Sequence, residues 1–323
     1  MLQTRSVPLG RFSGIKALNQ SMRLTDIRRA ARRLGFKKPL KWFYYYGSCL
    51  QDFEVDREAP TVYYCIDRFS EPEETELTKQ ADFVVVTNRQ IFREKRLLNA
   101  RCAHVANGCD VAGFVEPQPL PEDLLAIPTP RVGVVAVSTH QIAYAWLADL
   151  AERFPGTSLV LIGPFATGGS GPASADLPHL ARLKNASNVF FLGFKDPERV
   201  PAYIQGLTVG LIPYKDSEFN RSRDPDKLYQ YLAAGKPVVS FPIDSLAEVP
   251  PGVFFVTNSD EFARYVTTAQ DSTEDGSVAA RVAVGASSDY SARLEELRVA
   301  LQDTVLLPPG TPRHDSMKQR PRA

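Results

Sequence analysis

The sequence lacks most of the features that mark metal-binding, secreted or membrane-spanning proteins. Its 323 residues include only four cysteines, and none forms a CxxC pair with a second pair downstream; they are Cys49, Cys65, Cys102 and Cys109. A zinc site is therefore not expected, and the pattern suits a reducing cytosol. No run of about 18 apolar residues occurs, so no membrane-spanning segment is expected. The N-terminus also lacks the apolar core of a signal peptide.

The net charge is also low, at only +1, but the charged residues are unevenly distributed along the chain. Between Met1 and Lys41, eleven Lys or Arg residues face a single acid, Asp26. This basic arm predicts contact with an anionic surface or substrate and not general nucleic-acid binding. An apolar stripe interleaved with arginines, followed by aromatic residues, makes residues 15–46 a candidate for peripheral contact with an anionic membrane. A solvated face of an ordinary amphipathic helix is the alternative.

What the chain does contain is a regular alternation of short apolar strands and helices. Hydrophobic residues make up 44% of the chain and charged residues 23%, which is typical of a soluble globular protein. The alternation predicts an α/β fold with parallel sheets. Five prolines within residues 117–130 indicate a linker between two α/β halves, and the proline-containing, charged residues 305–323 indicate a disordered tail.

Residues 211–242 carry the strongest chemical signal. They read as a buried strand, a polar loop ending at Pro225, a helix that Gly235 ends, and another strand. Free backbone N–H groups and the helix dipole make such a helix start an anion site. Lys227 adds a full positive charge in the first turn, where it opposes the dipole, which favours a ligand role.

These motifs resemble the donor-binding signature of GT-B glycosyltransferases. The resemblance rests on LIPY and PDKLYQYLAAGKPVVSFP, on VGVVAVS and NVFFLGFKDPERVPAYI, and in the first half on YYCIDRFS and QADFVVVTN. It covers roughly residues 60–300 and implies two Rossmann-like domains with a cleft between them. The expected division is an acceptor-side domain over 1–116, shortened at its start, the linker, a nucleotide-sugar domain over 131–289, and a helix over 290–304 that returns to the first domain.

Within this fold the sequence departs from the common retaining pattern. Many retaining members have two glutamates around the loop, but here Ser222 and Gln230 stand in their places. The Lys-x-x-Gln spacing of Lys227 and Gln230 instead resembles the xanthan-type glucuronosyltransferase (GumK-like) family. That resemblance implies an inverting enzyme with an aspartate base, and the matching residue is Asp67 in CIDRFS.

The resemblance and the residues near the loop together give a set of candidate site residues. Asp67 would take the proton from the acceptor hydroxyl, since an inverting transfer needs one carboxylate for this step. The donor-binding candidates are Lys227, Gln230, Asp226, Arg223, Tyr214, Phe194 and Ser138. Simpler interpretations stay open. Asp67 could cap a turn, Lys227 and Arg223 could be solvated, and Gln230 could be plain helix surface. Tyr214 could pack under the loop, and Phe194 could pack in the core. Neither a metal nor another cofactor is expected.

The sequence therefore predicts a glycosyltransferase that moves a sugar, by analogy glucuronate, from a UDP-sugar to a lipid-linked saccharide. It would act in exopolysaccharide or cell-surface glycan synthesis, on the cytoplasmic face of the plasma membrane, without nucleic acid as a partner. Two alternatives stay open. One is a retaining GT-B transferase, and the other is a truncated, non-catalytic homologue that binds a nucleotide or a partner.

Overall fold

The computed structural model describes residues 13–36, 40–44, 60–69, 71–137, 139–165, 172–243, 246, 249–271 and 277–302. The chain forms two compact units. The first contains the described residues within 1–86, 92–104 and 295–323, and the second those within 87–91 and 105–294. Each unit holds one parallel β-sheet with helices, which confirms the predicted α/β class.

The first unit is built on a four-stranded parallel sheet in the order β1-β2-β3-β4. Its elements are α1 (Ser13–Arg33), β1 (Lys41–Phe43), β2 (Thr61–Cys65), α2 (Pro72–Gln80), β3 (Phe83–Val86), most of α3 (Arg89–Leu98) and β4 (Cys102–His104). Strand β3 is buried along its whole length, as its FVVV sequence predicts for a central strand of a parallel sheet. Because the strands are parallel, their carboxyl ends lie at one edge, and Asp67 follows the end of β2 there.

A buried polar cluster joins α2 to α3 in this unit. The Glu74 carboxylate is fully buried and accepts hydrogen bonds from the Tyr63 hydroxyl at 2.7 Å and the Thr78 hydroxyl at 3.2 Å. The ammonium of Lys95, itself almost buried, forms an ion pair with its second oxygen. A buried carboxylate persists only where it is paired and hydrogen-bonded in this way.

The second unit is built on a six-stranded parallel sheet. Its first elements in chain order, up to the strand β7 and the helix that follows it, are α4 (Val111–Val115), α5 (Glu122–Leu125), β5 (Arg131–Val135), α6 (Tyr144–Arg153), β6 (Ser158–Ile162), α7 (Leu177–Asn185), β7 (Val189–Gly193) and α8 (Val200–Gln205). They are followed by β8 (Val209–Ile212), α9 (Glu218–Arg221), α10 (Asp226–Ala233), β9 (Val238–Ser240), β10 (Val253–Phe255), α11 (Ser259–Asp271) and α12 (Ser277–Ala286). The last helix, α13 (Tyr290–Gln302), is divided between the two units after Leu294.

The strand order of this sheet, β10-β9-β8-β5-β6-β7, fixes where a ligand can bind. The chain winds outward from β5 to β7 and then returns to place β8 on the other side of β5. This is the order of a Rossmann fold, with its switch point between β5 and β8. Both strands are wholly buried. In such sheets ligands bind outside the carboxyl ends of the strands at the switch point.

Three features of the second unit differ from the sequence-based expectations. The proline-rich residues 117–130 contain α5 and bury Leu124 and Ile127 in the core, so this segment packs on the unit as an ordered part of it. Residues 105–116, expected in the first domain, cluster with the second unit. Helix α12 lies where no element is predicted. It is held by the fully buried Arg281, whose Nε donates to the Gly235 carbonyl at 2.9 Å.

The described part of α1 fits the predicted basic segment, with Gly35 ending the helix at a φ of +75°. Residues 37–39 and 45–46 of the expected membrane-contacting segment lie outside the described residues, as does the expected tail over 305–323.

Candidate functional site: the amino end of helix α10

Helix α10 begins at Asp226, directly after Pro225, and ends where the sequence predicts. Gly235 adopts a φ of +69°, a conformation that glycine tolerates best. Its N–H donates to the Leu232 carbonyl, and the N–H of Lys236 donates to the Tyr231 carbonyl at 2.9 Å. This glycine-terminated end satisfies the last carbonyls of the helix.

Tyr231 holds α10 against the centre of the sheet. Its fully buried hydroxyl accepts a hydrogen bond from the Val135 N–H at 3.1 Å and donates to the Gly133 carbonyl at 3.3 Å. Its ring covers Gly210 so closely that a Cβ there would lie 2.4 Å from a ring carbon. The helix is therefore fixed to β5 and β8, the two strands of the switch point.

The loop that leads into α10 is held by residues from distant parts of the chain. The Asp224 carboxylate accepts hydrogen bonds from the Asn107 N–H at 2.5 Å and from the Tyr229 hydroxyl at 2.7 Å. The Asn107 amide nitrogen donates to the Asp224 carbonyl, and the Asn88 amide nitrogen donates to the Arg223 carbonyl at 3.2 Å. All five residues belong to the second unit. The hydrogen bonds fix the position at which the helix starts.

A cavity of about 290 Å³ lies at the amino end of α10. One wall comes from the carboxyl ends of the central strands, namely Val135, Ala136, Val137, Ile162 and Gly163. The first turns of α10 contribute Asp226, Lys227 and Gln230, and the remaining lining residues are Phe114, Phe194, Lys195, Pro197, Val200 and Tyr290. The cavity thus combines apolar strand ends with a helix N-terminus, at the place where this topology binds ligands.

The polar side of the cavity is a small hydrogen-bonded group. The Lys227 ammonium lies 3.1 Å from Asp226 Oδ2, and the Gln230 amide nitrogen donates to the same oxygen at 3.2 Å. Gln230 is only 9% exposed, and its Oε1 has no hydrogen-bond partner among the residues that the structure describes. An unpaired buried acceptor is costly, so this oxygen is a point at which a ligand donor would be favoured.

Lys195, another cation of the cavity wall, is already neutralised. Its ammonium donates to Asp123 Oδ2 at 2.8 Å, and the Tyr203 hydroxyl donates to Asp123 Oδ1 at 2.9 Å. Burial alone would raise the pKa of Asp123, but the hydrogen bonds from Lys195 and Tyr203 lower it below its ordinary value. Asp123 therefore stays charged and pairs with Lys195, as Asp226 pairs with Lys227. Of the two cations, Lys227 is the one in the first turn of α10.

Four of the residues predicted to bind the donor line this one cavity: Phe194, Asp226, Lys227 and Gln230. Tyr214 does not line it; this side chain is buried and its backbone pairs with Ile142. Arg223 does not line it either, since its guanidinium lies over the Tyr214 ring, 5.1 Å from the centroid. Ser138 lies outside the described residues. The role of each residue in binding stays a prediction.

Phe114, Lys195 and Tyr290 are cavity residues that the sequence patterns do not indicate. Phe114 and Tyr290 come from segments on either side of the Rossmann unit in sequence, and no local pattern connects them to it. Burial and, after it, the negative charges of Asp226 and Asp110 raise the pKa of Tyr290. Its phenol therefore remains a neutral hydrogen-bond donor. The sequence could have indicated Lys195, because this residue directly follows the candidate Phe194 at the end of β7.

Asp67 lies in the first unit, two residues beyond the end of β2. The Cys65 thiol donates to its backbone carbonyl at 3.2 Å, which holds the turn. Burial raises the pKa of Cys65 to about 12, so this thiol is a neutral structural group and not a nucleophile. The strand-end position is that expected of a residue facing a ligand in a parallel sheet.

Neither a metal cluster nor a spanning helix is found in the part of the chain that the structure describes. No three His, Cys, Asp or Glu side chains come together there as metal ligands would. None of the described helices is both long and apolar enough to cross a bilayer.

Sequence comparison finds known proteins that are similar to part of this chain. Residues 132–271 match the family model described as Glycosyl transferases group 1. The curated protein described as "Putative teichuronic acid biosynthesis glycosyltransferase TuaH", from Bacillus subtilis (strain 168), is 31% identical over 118 residues. The aligned region is 36% of this chain and 28% of TuaH, so the match spans little more than a quarter of that relative.

Solved structures match over most of the chain. HepE from Anabaena, determined in complex with UDP, superposes with a TM-score of 0.63 at 16% identity, over 89% of this chain and 84% of HepE. Sucrose-phosphate synthase from Thermosynechococcus elongatus gives a TM-score of 0.69, also at 16% identity, over 93% and 82%. The fold is GT-B. At such identities the likeness establishes the fold and leaves the chemistry to the residues of this chain.

Proposed function

We propose that this chain is a glycosyltransferase that takes its sugar from a UDP-sugar. The observation that carries the proposal is the cavity at the β5–β8 switch point, lined by the first turn of α10 with Lys227. This cavity lies within the segment that matches the group 1 glycosyltransferase family. The complex of HepE with UDP supports a uridine nucleotide as the ligand class.

The donor would use each side of the cavity differently. Its diphosphate would lie at the amino end of α10, where backbone N–H groups and Lys227 favour negative charge. The apolar strand ends and Phe194 would contact the base. The ribose would lie between them, within reach of Gln230. In the transfer, charge develops on the departing diphosphate, and the same positive groups would stabilise it.

Asp67 is proposed as the general base of an inverting, metal-independent transfer. Its position after β2 supports this role, together with the resemblance of CIDRFS to the GumK-like family. Its carboxylate would take the proton of the acceptor hydroxyl as that oxygen attacks the anomeric carbon. The leaving UDP would carry away the negative charge.

Glucuronate is the proposed sugar and a lipid-linked saccharide the proposed acceptor, in assembly of an exopolysaccharide or a surface glycan. The GumK-like resemblance supports both, and the teichuronic acid biosynthesis named for TuaH supports glycan assembly. The last two turns of α1 favour contact with anionic lipid at the cytoplasmic face of the membrane. Four exposed arginines (Arg28, Arg29, Arg32 and Arg33) are followed by Leu34 and Phe36, which are 72% and 58% exposed.

The direct test is UDP release from UDP-glucuronate and UDP-glucose in the presence of a lipid-linked saccharide. We expect release from at least one donor, and Asp67→Asn should lower kcat by about 10²- to 10⁴-fold because the base is lost. Glu73→Gln, which alters an exposed acid of the same unit, is the matched control. Equal rates for wild type and Asp67→Asn would refute the base. Retained anomeric configuration would favour a retaining enzyme, and UDP binding without release a non-catalytic homologue.

Binding gives a second test of the donor site. Lys227→Ala should weaken UDP binding by roughly 10- to 100-fold, since a charge-assisted hydrogen bond contributes about 1.5–3 kcal/mol. Lys184→Ala, at the exposed end of α7, should leave the affinity unchanged. Unchanged affinity in Lys227→Ala would contradict the placement of the diphosphate at α10.

A further inference from the structure

The amide of Gln230 has two possible orientations, and the structure shows what selects one of them. Gln230 lies one helical turn after Asp226, and its Nε2 donates to Asp226 Oδ2 at 3.2 Å. A carboxylate oxygen can only accept, so it requires the nitrogen of the amide and not the oxygen to face it. The Gln230 Oε1 must then face away from Asp226.

Lys227 restrains the same carboxylate. Its ammonium lies 3.1 Å from the oxygen that receives the Gln230 amide, so two donors converge on Asp226 Oδ2. Turning the Gln230 amide over would bring its oxygen against this carboxylate oxygen, an unfavourable contact between two acceptors. Side-chain pairs one turn apart on a helix interact in this way without help from tertiary packing.

The outcome is a buried acceptor that belongs to a side chain of the cavity lining. Gln230 lines the cavity, is 9% exposed, and has a buried Oε1 without a partner among the described residues. The complementary ligand group is a hydrogen-bond donor without charge, such as a sugar hydroxyl. Phosphate oxygens cannot serve, because they are acceptors too.

We propose that Asp226 is a positioning residue, which fixes the Gln230 amide so that its Oε1 accepts a ribose hydroxyl of the donor nucleotide. The inference rests on the proposed function, because it takes a ribose-bearing nucleotide as the ligand. It gives Asp226, which lies beside the site of the diphosphate, a role other than direct contact with that anion. A carboxylate would otherwise be out of place beside a diphosphate, since like charges repel.

Calorimetric titration with UDP, with 2′,3′-dideoxy-UDP and with inorganic pyrophosphate tests the proposal. Wild type should bind UDP more tightly than the dideoxy analogue by roughly 5- to 100-fold, because the analogue leaves the buried Gln230 oxygen unpaired. In Asp226→Ala the amide is free to turn, and this ratio should fall towards one. Pyrophosphate affinity should not fall, since Lys227 is retained and released from its ion pair.

Two variants separate positioning from charge and from folding. Asp226→Asn keeps an oxygen that can accept from both Lys227 and Gln230, so it should keep the ratio of wild type. Asp216→Ala removes an exposed acid that pairs with Arg221 outside the cavity and should also keep it. A ratio lost in Asp226→Asn would assign the effect to charge and overturn the positioning role. Lower pyrophosphate affinity in Asp226→Ala would show that the substitution disrupts the amino end of α10. That result would also overturn the positioning role.

The inference and the proposed function fail in distinguishable ways. If wild type binds UDP and discriminates against the dideoxy analogue, but Asp226→Ala discriminates equally well, the positioning role alone is refuted. If wild type does not bind UDP, the proposed function falls and the inference falls with it.

Discussion

Replacing Asp224 by alanine should destabilise the second unit and weaken donor binding. Asp224 is 4% exposed, and its carboxylate accepts from the Asn107 N–H and from the hydroxyl of Tyr229, which is 1% exposed. The Tyr229 hydroxyl would lose this acceptor in a buried place and the Asn107 N–H in a partly buried one. The residue also lies two positions before the start of α10, so the effect should extend to the helix end that is proposed to hold the diphosphate.

The magnitude follows from the two hydrogen bonds. An unsatisfied buried donor costs about 1–3 kcal/mol and a partly buried one costs less, so the two together give roughly 1–5 kcal/mol of lost stability. We expect the middle of that range for Asp224→Ala. Asp224→Asn keeps one acceptor oxygen and should lose about half as much.

Tryptophan fluorescence during urea unfolding can report on this unit alone. The sequence has two tryptophans: Trp42 in the first unit and Trp146 in the second, where Trp146 packs near Phe262 with ring centroids 5.6 Å apart. In a Trp42→Phe background, Trp146 reports the unfolding of the second unit. UDP titration of the same variants measures the effect on the proposed donor site.

A double-mutant cycle with Tyr229→Phe isolates the contact itself. Because the phenylalanine removes the stranded hydroxyl, the double variant should be less destabilised than the sum of the two single variants, with a coupling energy of about 0.5–3 kcal/mol. If Asp224→Ala unfolds within about 0.5 kcal/mol of wild type, as substitutions at ordinary surface positions do, the hydrogen bonds do not stabilise the loop and the reasoning is refuted.

Two further predictions concern the first unit. Lys95→Met leaves the buried Glu74 without its cation and should cost about 3–5 kcal/mol in thermal or urea unfolding. The double variant with Glu74→Gln, which removes the buried charge but keeps an acceptor for the Tyr63 hydroxyl, should recover part of that loss. A loss equal to the sum of the two single variants would show that the pair is not coupled. Burial raises the pKa of Cys65 to about 12, so between about pH 9 and 12 the unfolded chain loses a proton that the folded chain keeps. Stability should therefore fall with rising pH by up to about 1.4 kcal/mol per unit relative to Cys65→Ala, and identical pH profiles would contradict the burial effect.

The sequence was most informative where structure depends on local pattern. The alternation of apolar strands with helices predicted both parallel sheets, and the buried strands β5, β6 and β8 are the near-continuous apolar runs expected of them. The start and end of α10 could be predicted because Pro225 and Gly235 act on their own backbone. Lys227 and Gln230 were candidates for the same reason, since a helix start and the spacing of one turn are local features.

Composition was a weaker guide to packing. The prolines of residues 117–130 are compatible with a free linker, but Leu124 and Ile127 among them are buried in the second unit. Whether an apolar side chain is buried depends on the surface that it meets, and here Gly206 allows Leu124 to approach closely. Helix α12 was missed because Arg281 interrupts its apolar pattern. The carbonyls of Gly235 and Pro251 and the Ser277 hydroxyl accept hydrogen bonds from the buried guanidinium.

The sequence alone thus determined the fold class, the switch-point helix and a candidate anion site at its start. The tertiary structure decided which residues share that site. It placed Tyr290 and Phe114 in the cavity, turned Arg223 onto the Tyr214 ring, and joined Asn107 to Asp224 across 117 positions of sequence. Periodicity and turn chemistry act over a few residues, whereas these contacts depend on how distant segments pack, and no local pattern encodes that.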